Sequence, residues 1–310
     1  MSDILLVSDV KDWAFDVTWK GLEPYLDFDV LYTSDKPTVT PKRVKRYRRT
    51  HFFNWLGGQS FAHMKGVSGG VCQHNVQMKW GRQGKKYLPK YEKVVAISEE
   101  LVELTKKYNP ETFYIPNGTD PEKFQPSINK GTFTVGWMGQ KTTGGFGEKR
   151  SSEDKPVWDI KGYELLLQPL MKRMEKKVKF KVLCANHSNA ISREEIYKWY
   201  DDIDVFLCTS IYEGGPLPAL DAGACGKPII STPVGIVPQL VRDGINGYLV
   251  PKLSSRGDIE NILNQIEMLI YKFQNNRKFC RSMGDNNRRI IEEQWTWEKI
   301  APLWRDFFED

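Results

Sequence analysis

Short apolar runs separated by stretches of helical periodicity recur along the whole chain. Ile4 to Val7, Phe28 to Tyr32, Gly66 to Cys72, the run opening at Lys93 and Thr112 to Ile115 read as strands of the first half. A helix is predicted over Phe15 to Tyr25, and Ser98 is placed to cap the helix after the Lys93 strand. His51 to Trp55 reads as a partly buried stretch without a clear period. The second half repeats the alternation. Phe133 to Met138, Phe180 to Cys184 and Val205 to Cys208 read as strands, and Ile229-Ile230 begins another. Leu165 to Leu170 reads as helix, and Asp258 to Phe273, Arg277 to Ile291 and Glu298 to Phe308 as amphipathic helices. Such alternation predicts an α/β fold of two Rossmann-like domains facing a cleft.

The most informative stretch runs from Ser210 to Pro228, between the strand at Val205 and the strand at Ile229. Gly214 and Gly215 allow a ligand to approach the backbone closely, and Pro216 suits the first turn of a helix. Gly226 suits the end of that helix. A glycine loop that opens a helix presents amide N–H groups and the positive end of the dipole, which fits a phosphate or diphosphate. Glu213 in the loop and Asp221 eight residues later suit sugar and ribose hydroxyls rather than phosphates.

These residues resemble retaining glycosyltransferases of the GT-B fold, family 4 in particular, which carry E-G-x-G-L-P-x-x-E-A-x-A-C-G-x-P in this setting. The chain has Glu213, Gly214, Gly215, Pro216, Leu217, Pro218 and Asp221, followed by Ala-Cys-Gly-Lys-Pro and the later Asp243-Gly244-Ile245-Asn246-Gly247. It departs in Asp221, one methylene shorter than the family's second Glu, and in Pro216 for a Gly. Pro116-Asn117-Gly118-Thr119-Asp120 with Phe124 and Pro126 resembles the segment that joins the two domains of that family. The resemblance therefore implies an N-terminal acceptor domain over residues 1–128 and a nucleotide-sugar domain over 129–293. It also implies a C-terminal helix, 294–310, packing back on the first domain.

By the same resemblance, Lys161 before Gly162 is the cation on the leaving diphosphate, and Glu213 holds the donor sugar. Gly139, Gln140, Lys141, Gly214, Gly215, Pro216 and Leu217 complete the donor site, with Asp221 at the ribose and His187 near the base. Gln140 stands where the family has Arg, so a second cation has to come from Lys141, Lys149 or Arg150. His74, after the Gly66 strand, is the counterpart of a family His near the transferred sugar. The catalytic set is thus Glu213, His74 and Lys161. No metal or other cofactor is expected beyond the nucleotide-sugar donor, with a UDP-sugar preferred, and Asp202-Ile203-Asp204 is read as a strand start rather than a metal site. No obligate protein partner is evident.

Composition changes the picture at one place. The chain has 310 residues and a net charge of +6, but residues 36–93 hold fourteen Lys and Arg against one acid, Glu92. That segment carries 14 − 1 = +13, so the remainder sums to −7. Charge separated in this way points to a polyanionic acceptor, met by Lys42, Arg43, Arg46, Arg48, Arg49, Lys79, Arg82 and Lys85. Tyr47, Trp55, Trp80 and Tyr87 lie among these residues. Aromatic interleaving favours DNA carrying hydroxymethylated bases, as for a phage-type enzyme, over a glycan, lipid or teichoic-acid-like polymer at a membrane surface. A sugar-nucleotide epimerase and a non-catalytic polyanion-binding protein are the alternatives of other classes. Five scattered cysteines and no apolar run of membrane-spanning length place the expected location in the cytoplasm, the host's if phage-encoded.

Overall fold

The computed structural model describes residues 2–9, 11, 14–34, 39–72, 81–141, 159–184 and 192–310. His74, Lys79, Lys149, Arg150 and His187 lie outside the described residues. The chain divides into two compact units, Met1–Thr119 with Gln294–Asp310, and Asp120–Glu293. The division falls before the expected boundary because the second unit holds the segment after Thr119. Arg288 donates to the carbonyls of Pro121, Phe124 and Ala224, and the buried Lys227 ammonium donates to the Ser127 carbonyl at 2.7 Å.

The first unit is a parallel sheet in the order β2-β1-β3-β4-β5-β6. Its strands are β1 (Ile4–Ser8), β2 (Asp29–Tyr32), β3 (Arg49–Phe52), β4 (Val67–Val71), β5 (Lys93–Ala96) and β6 (Thr112–Tyr114). Helices α1 (Ala14–Leu22), α2 (Pro41–Val44), α3 (Trp55–Gly58), α4 (Gly81–Tyr87) and α5 (Glu99–Lys106) connect them. One apolar cluster joins Leu5, Phe52, Trp55, Leu88, Val94 and Leu101. A second joins Leu6, Phe53 and Val95 of the sheet to Trp297, Trp304, Phe307 and Phe308.

The final helix of the chain, Trp297–Glu309, therefore covers a face of the first sheet. Its buried positions 297, 300, 301, 304, 307 and 308 follow the helical period. Helix α1 approaches it so closely that a Cβ on Gly21 would sit on the Trp297 indole. β3 starts against the same helix. Arg48 Nη1 and Arg49 Nε donate to the Phe308 carbonyl at 3.1 and 3.2 Å, and Arg49 also pairs with Glu92 at 2.7 Å. A cation at a helix C-terminus satisfies orphan carbonyls and the dipole together. His51 is fully buried on β3, with Ser68 Oγ 2.9 Å from Nδ1 and the Trp304, Phe307 and Phe308 rings edge-on around it. Burial without a charged partner lowers its pKa to about 3.

The second unit is a parallel sheet in the order β11-β10-β9-β7-β8. Its strands are β7 (Thr134–Gly139), β8 (Lys179–Cys184), β9 (Val205–Cys208), β10 (Ile229–Ser231) and β11 (Gly247–Leu249). Connecting helices are α6 (Gln168–Arg173), α7 (Arg193–Trp199), α8 (Leu217–Ala224) and α9 (Val237–Leu240). The long α10 (Ile259–Asn275) and α11 (Arg277–Gln294) follow, and the final helix is α12. α10 buries Ile262, Ile266, Ile270 and Phe273 against Phe133, Val135 and Leu207 of the sheet side. Asp204 Oδ2 accepts from Asn129 Nδ2 at 2.7 Å and from the Thr134 amide at 2.9 Å, so this carboxylate fixes the start of β7. Among the described residues, no helix is long and apolar enough to cross a membrane.

Candidate functional site

β7, the first strand of the second sheet, lies between β8 and β9. The connection from β7 thus runs one way to β8 and the chain then returns to the other side for β9. A crevice opens at the C-terminal ends of strands where the order reverses in this way. The chemistry-bearing residues collect at that edge.

Two loops are bound together there. The carbonyl of Ile160 accepts from the Ile211 amide at 2.7 Å. Thr209 Oγ1 donates to the Lys161 carbonyl at 2.8 Å and accepts from Trp137 Nε1 at 2.9 Å. Gly162 takes a left-handed conformation, φ +65°, and a Cβ there would lie 2.0 Å from the Thr209 carbonyl oxygen. Buried Asp159 begins the turn, its carboxylate accepting from the Tyr163 and Leu165 amides at 2.8 Å each. Burial raises its pKa, against the opposing pull of those amides. The backbone then passes through one wide turn, Tyr163–Leu167, into α6.

This framework brings Lys161 and Glu213 together. Lys161 Nζ is 2.5 Å from Glu213 Oε1, and Ser210 Oγ donates to the same oxygen at 2.7 Å. Their side chains are 27% and 12% exposed, so both are half-buried and still reachable from solvent. Such a charge-assisted contact is short and strongly oriented. The third strand end joins in through Thr232, whose hydroxyl donates to the Ser210 carbonyl at 2.5 Å. Gly235 lies so close that a Cβ on it would meet the Gly214 carbonyl at 2.4 Å.

α8 starts one residue later than its sequence suggests. Pro216 is the N-cap, Leu217 the first helical residue, and Pro218 lies in the first turn. Pro216 and Pro218 carry no N–H and the Ala219 amide donates to the Pro216 carbonyl at 2.9 Å, so the amide that this helix start can turn to a ligand is that of Leu217. Gly226, φ +65°, closes the helix, and Lys227 N donates to the Ala222 carbonyl at 2.9 Å. Gly139 and Gln140 are half-buried at the end of β7, and exposed Lys141 places its ammonium 5.4 Å from the Tyr163 ring centroid.

Asp221 is buried beside an arginine. It is 3% exposed, one turn inside α8, with Oδ2 3.5 Å from Arg193 Nη1. On the first unit, Lys42, Arg46, Arg82 and Lys85 are exposed and Arg43 is half-buried. Arg48 is exposed and Arg49 half-buried, and each also gives one donor to the Phe308 carbonyl at the end of α12. Sequence reasoning passed over Asp159, Thr209, Ser210 and Arg193. Only Asp159 carries a readable signal, an acid three residues before a glycine at a helix start.

Residues 161–289 match the family of group 1 glycosyl transferases. The chain is 30% identical over 114 residues to the MMP alpha-(1->4)-mannosyltransferase of Mycolicibacterium hassiacum, covering 37% of this chain and 26% of that protein. It is 32% identical over 107 residues to the N-acetyl-alpha-D-glucosaminyl L-malate synthase of Bacillus anthracis, covering 34% and 26%. The matched part thus spans about a quarter of the length of these curated relatives. The fold is similar over its full length to the crystal structure of Anabaena HepE in complex with UDP and glucose, with a TM-score of 0.73 at 14% identity and 100% of each chain covered. Two parallel-sheet Rossmann-like units of the GT-B type are therefore shown.

Proposed function

We propose that the chain is a glycosyltransferase that moves a sugar from a nucleotide sugar to an acceptor hydroxyl, with retention at the anomeric carbon. The observation that carries this reading is the Lys161–Glu213–Ser210 cluster at the reversal point of the second sheet. It lies beside a helix start that has no side-chain cap. Lys161 and the Gly215 and Leu217 amides stabilise the negative charge that develops on the leaving diphosphate. Glu213 takes the sugar hydroxyls, and Ser210 fixes the direction of its carboxylate. Asp221 serves the ribose, and Lys141 supplies the second positive charge. A UDP-sugar is the proposed donor; the structural relative named above binds UDP and glucose.

The proposed acceptor is anionic. The support is the exposed basic surface of α2, the turn after it and α4, where Lys42, Arg46, Arg82, Lys85 and Lys86 stand with no acidic residue between positions 36 and 91. DNA with hydroxymethylated bases is one member of that class. The relatives' names speak instead of a mannosyl transfer and of a malate. The test is donor turnover by a panel of nucleotide sugars with modified duplex DNA, malate-like small acids and anionic glycans as acceptors, read by mass spectrometry. Glu213→Ala is expected to lose turnover with its fold intact. Wild-type kcat/KM in that variant would overturn the site.

A further inference from the structure

We propose that Arg193 is a specificity-determining residue for the donor: with Asp221 it forms a pair that reads the ribose hydroxyls of the nucleotide. The inference rests on the donor-site reading above. A carboxylate inside a helix is costly to bury unless a cation meets it. Asp221 is 3% exposed, and Arg193 Nη1 lies 3.5 Å from its Oδ2. The guanidinium is also held by two rings, 5.1 Å from the Phe124 centroid and 5.6 Å from that of Tyr197. Stacking of this kind fixes the plane of an arginine that would otherwise sample many rotamers.

Arg193 is the first residue of α7, and that helix start is itself fixed. Ser192 and Glu195 form a reciprocal cap, with the Ser192 amide donating to Glu195 Oε2 at 2.8 Å and the Glu195 amide to Ser192 Oγ at 3.2 Å. α7 follows β8, so its start stands at the same C-terminal edge of the parallel sheet as Lys161 and Glu213. The Arg193 side chain remains 34% exposed. A vicinal diol both donates and accepts, and a carboxylate beside a guanidinium answers both needs. The sequence supplies the reason for a second residue. Asp221 reaches one methylene less far than a glutamate would, and a long arginine side chain spans that difference.

The experiment compares UDP and GDP with their 2′-deoxy counterparts by calorimetry. Wild type is expected to prefer the ribonucleotide by about ten-fold, the worth of one hydrogen bond to a charged group. Arg193→Ala and Asp221→Asn should each bring the two within about two-fold. Inorganic pyrophosphate should bind Arg193→Ala as it binds wild type. Arg193→Lys keeps a charge beside Asp221 but loses the planar fork, so it should also bring the two within about two-fold, and it gives the reading if Arg193→Ala does not fold. Asp221→Glu in the Arg193→Ala background should restore the preference, which a merely structural arginine would not do. A ribonucleotide preference kept in Arg193→Ala, or in Arg193→Lys where Arg193→Ala does not fold, overturns this inference and leaves the donor site standing. Absence of UDP and GDP binding by wild type overturns both.

Discussion

The joint at Gly162 offers a quantitative test, because a second glycine supplies its control. Gly162 and Gly244 both adopt left-handed conformations, φ +65° and +76°. A Cβ on Gly244 meets nothing within 4 Å, whereas one on Gly162 lies 2.0 Å from the Thr209 carbonyl oxygen. Gly244→Ala thus carries only the left-handed penalty, about 1 kcal/mol. Gly162→Ala carries the same penalty and must also push the loops apart by roughly 1 Å to reach even the 3.0 Å limit of real Cβ contacts. That movement stretches the Thr209–Lys161 bond of 2.8 Å and the Ile211–Ile160 bond of 2.7 Å beyond useful length. At about 1 kcal/mol each, the total comes to about 3 kcal/mol. Urea unfolding followed by far-ultraviolet circular dichroism measures both variants. Gly162→Ala should lose about 2 kcal/mol more than Gly244→Ala, and its nucleoside diphosphate affinity should fall because Lys161 leaves its place. Equal losses in the two variants would refute the reasoning.

Lys161→Ala should weaken nucleoside diphosphate binding about ten-fold by calorimetry, and unchanged affinity would return Lys161 to an ordinary half-buried lysine. Removing Lys42, Arg43 and Arg46 should flatten the salt dependence of duplex binding by about one unit per lost phosphate contact, read by fluorescence anisotropy. Undetectable or salt-independent duplex binding by wild type would reject the DNA member of the acceptor class. Arg48→Ala with Arg49→Ala should instead lower stability by about 1–2 kcal/mol, since these side chains hold the end of α12. His51 makes stability depend on pH. Its folded pKa, about 3, lies below the unfolded 6.5, so the unfolded chain binds the proton first and stability is lost as pH falls below 6.5. Between pH 7 and 5 the loss is about 2 kcal/mol, and His51→Gln should remove that slope in denaturant titrations at the two pH values.

That Lys161 and Glu213 lie at glycine-marked strand ends was legible, because tight turns need particular residue types at fixed spacing, whatever the rest of the chain does. β3 was not legible. Its residues Arg49, Thr50 and His51 look polar, yet Arg49 is drawn off by the Phe308 carbonyl and Thr50 and His51 are buried. Polar side chains with tertiary partners erase the apolar run by which a buried strand is recognised. A count of charges likewise does not tell that Arg48 and Arg49, within the basic run, also hold the end of a helix. Asp221 shows the limit of motif spacing. Eight residues after Glu213 placed it correctly on α8, but its burial depends on Arg193, which comes from a different helix. A lone arginine after Ser192 reads as an ordinary helix start, and nothing local distinguishes it.

The way α12 completes the first sheet bears on how the chain is made. Residues 1–119 form the sheet, but Trp297, Trp304, Phe307 and Phe308 cover its face, with Leu6, Phe53 and Val95 beneath them. On the ribosome the second unit, residues 120–293, emerges whole while the first still lacks its cover. The first-made sheet is therefore the last to be finished, and its apolar face waits open through the synthesis of more than half the chain. An interval of that kind is when exposed apolar surface is most prone to aggregation or to engage a chaperone. Slow translation between residues 120 and 293 should harm the folding of this sheet more than slow translation before residue 120.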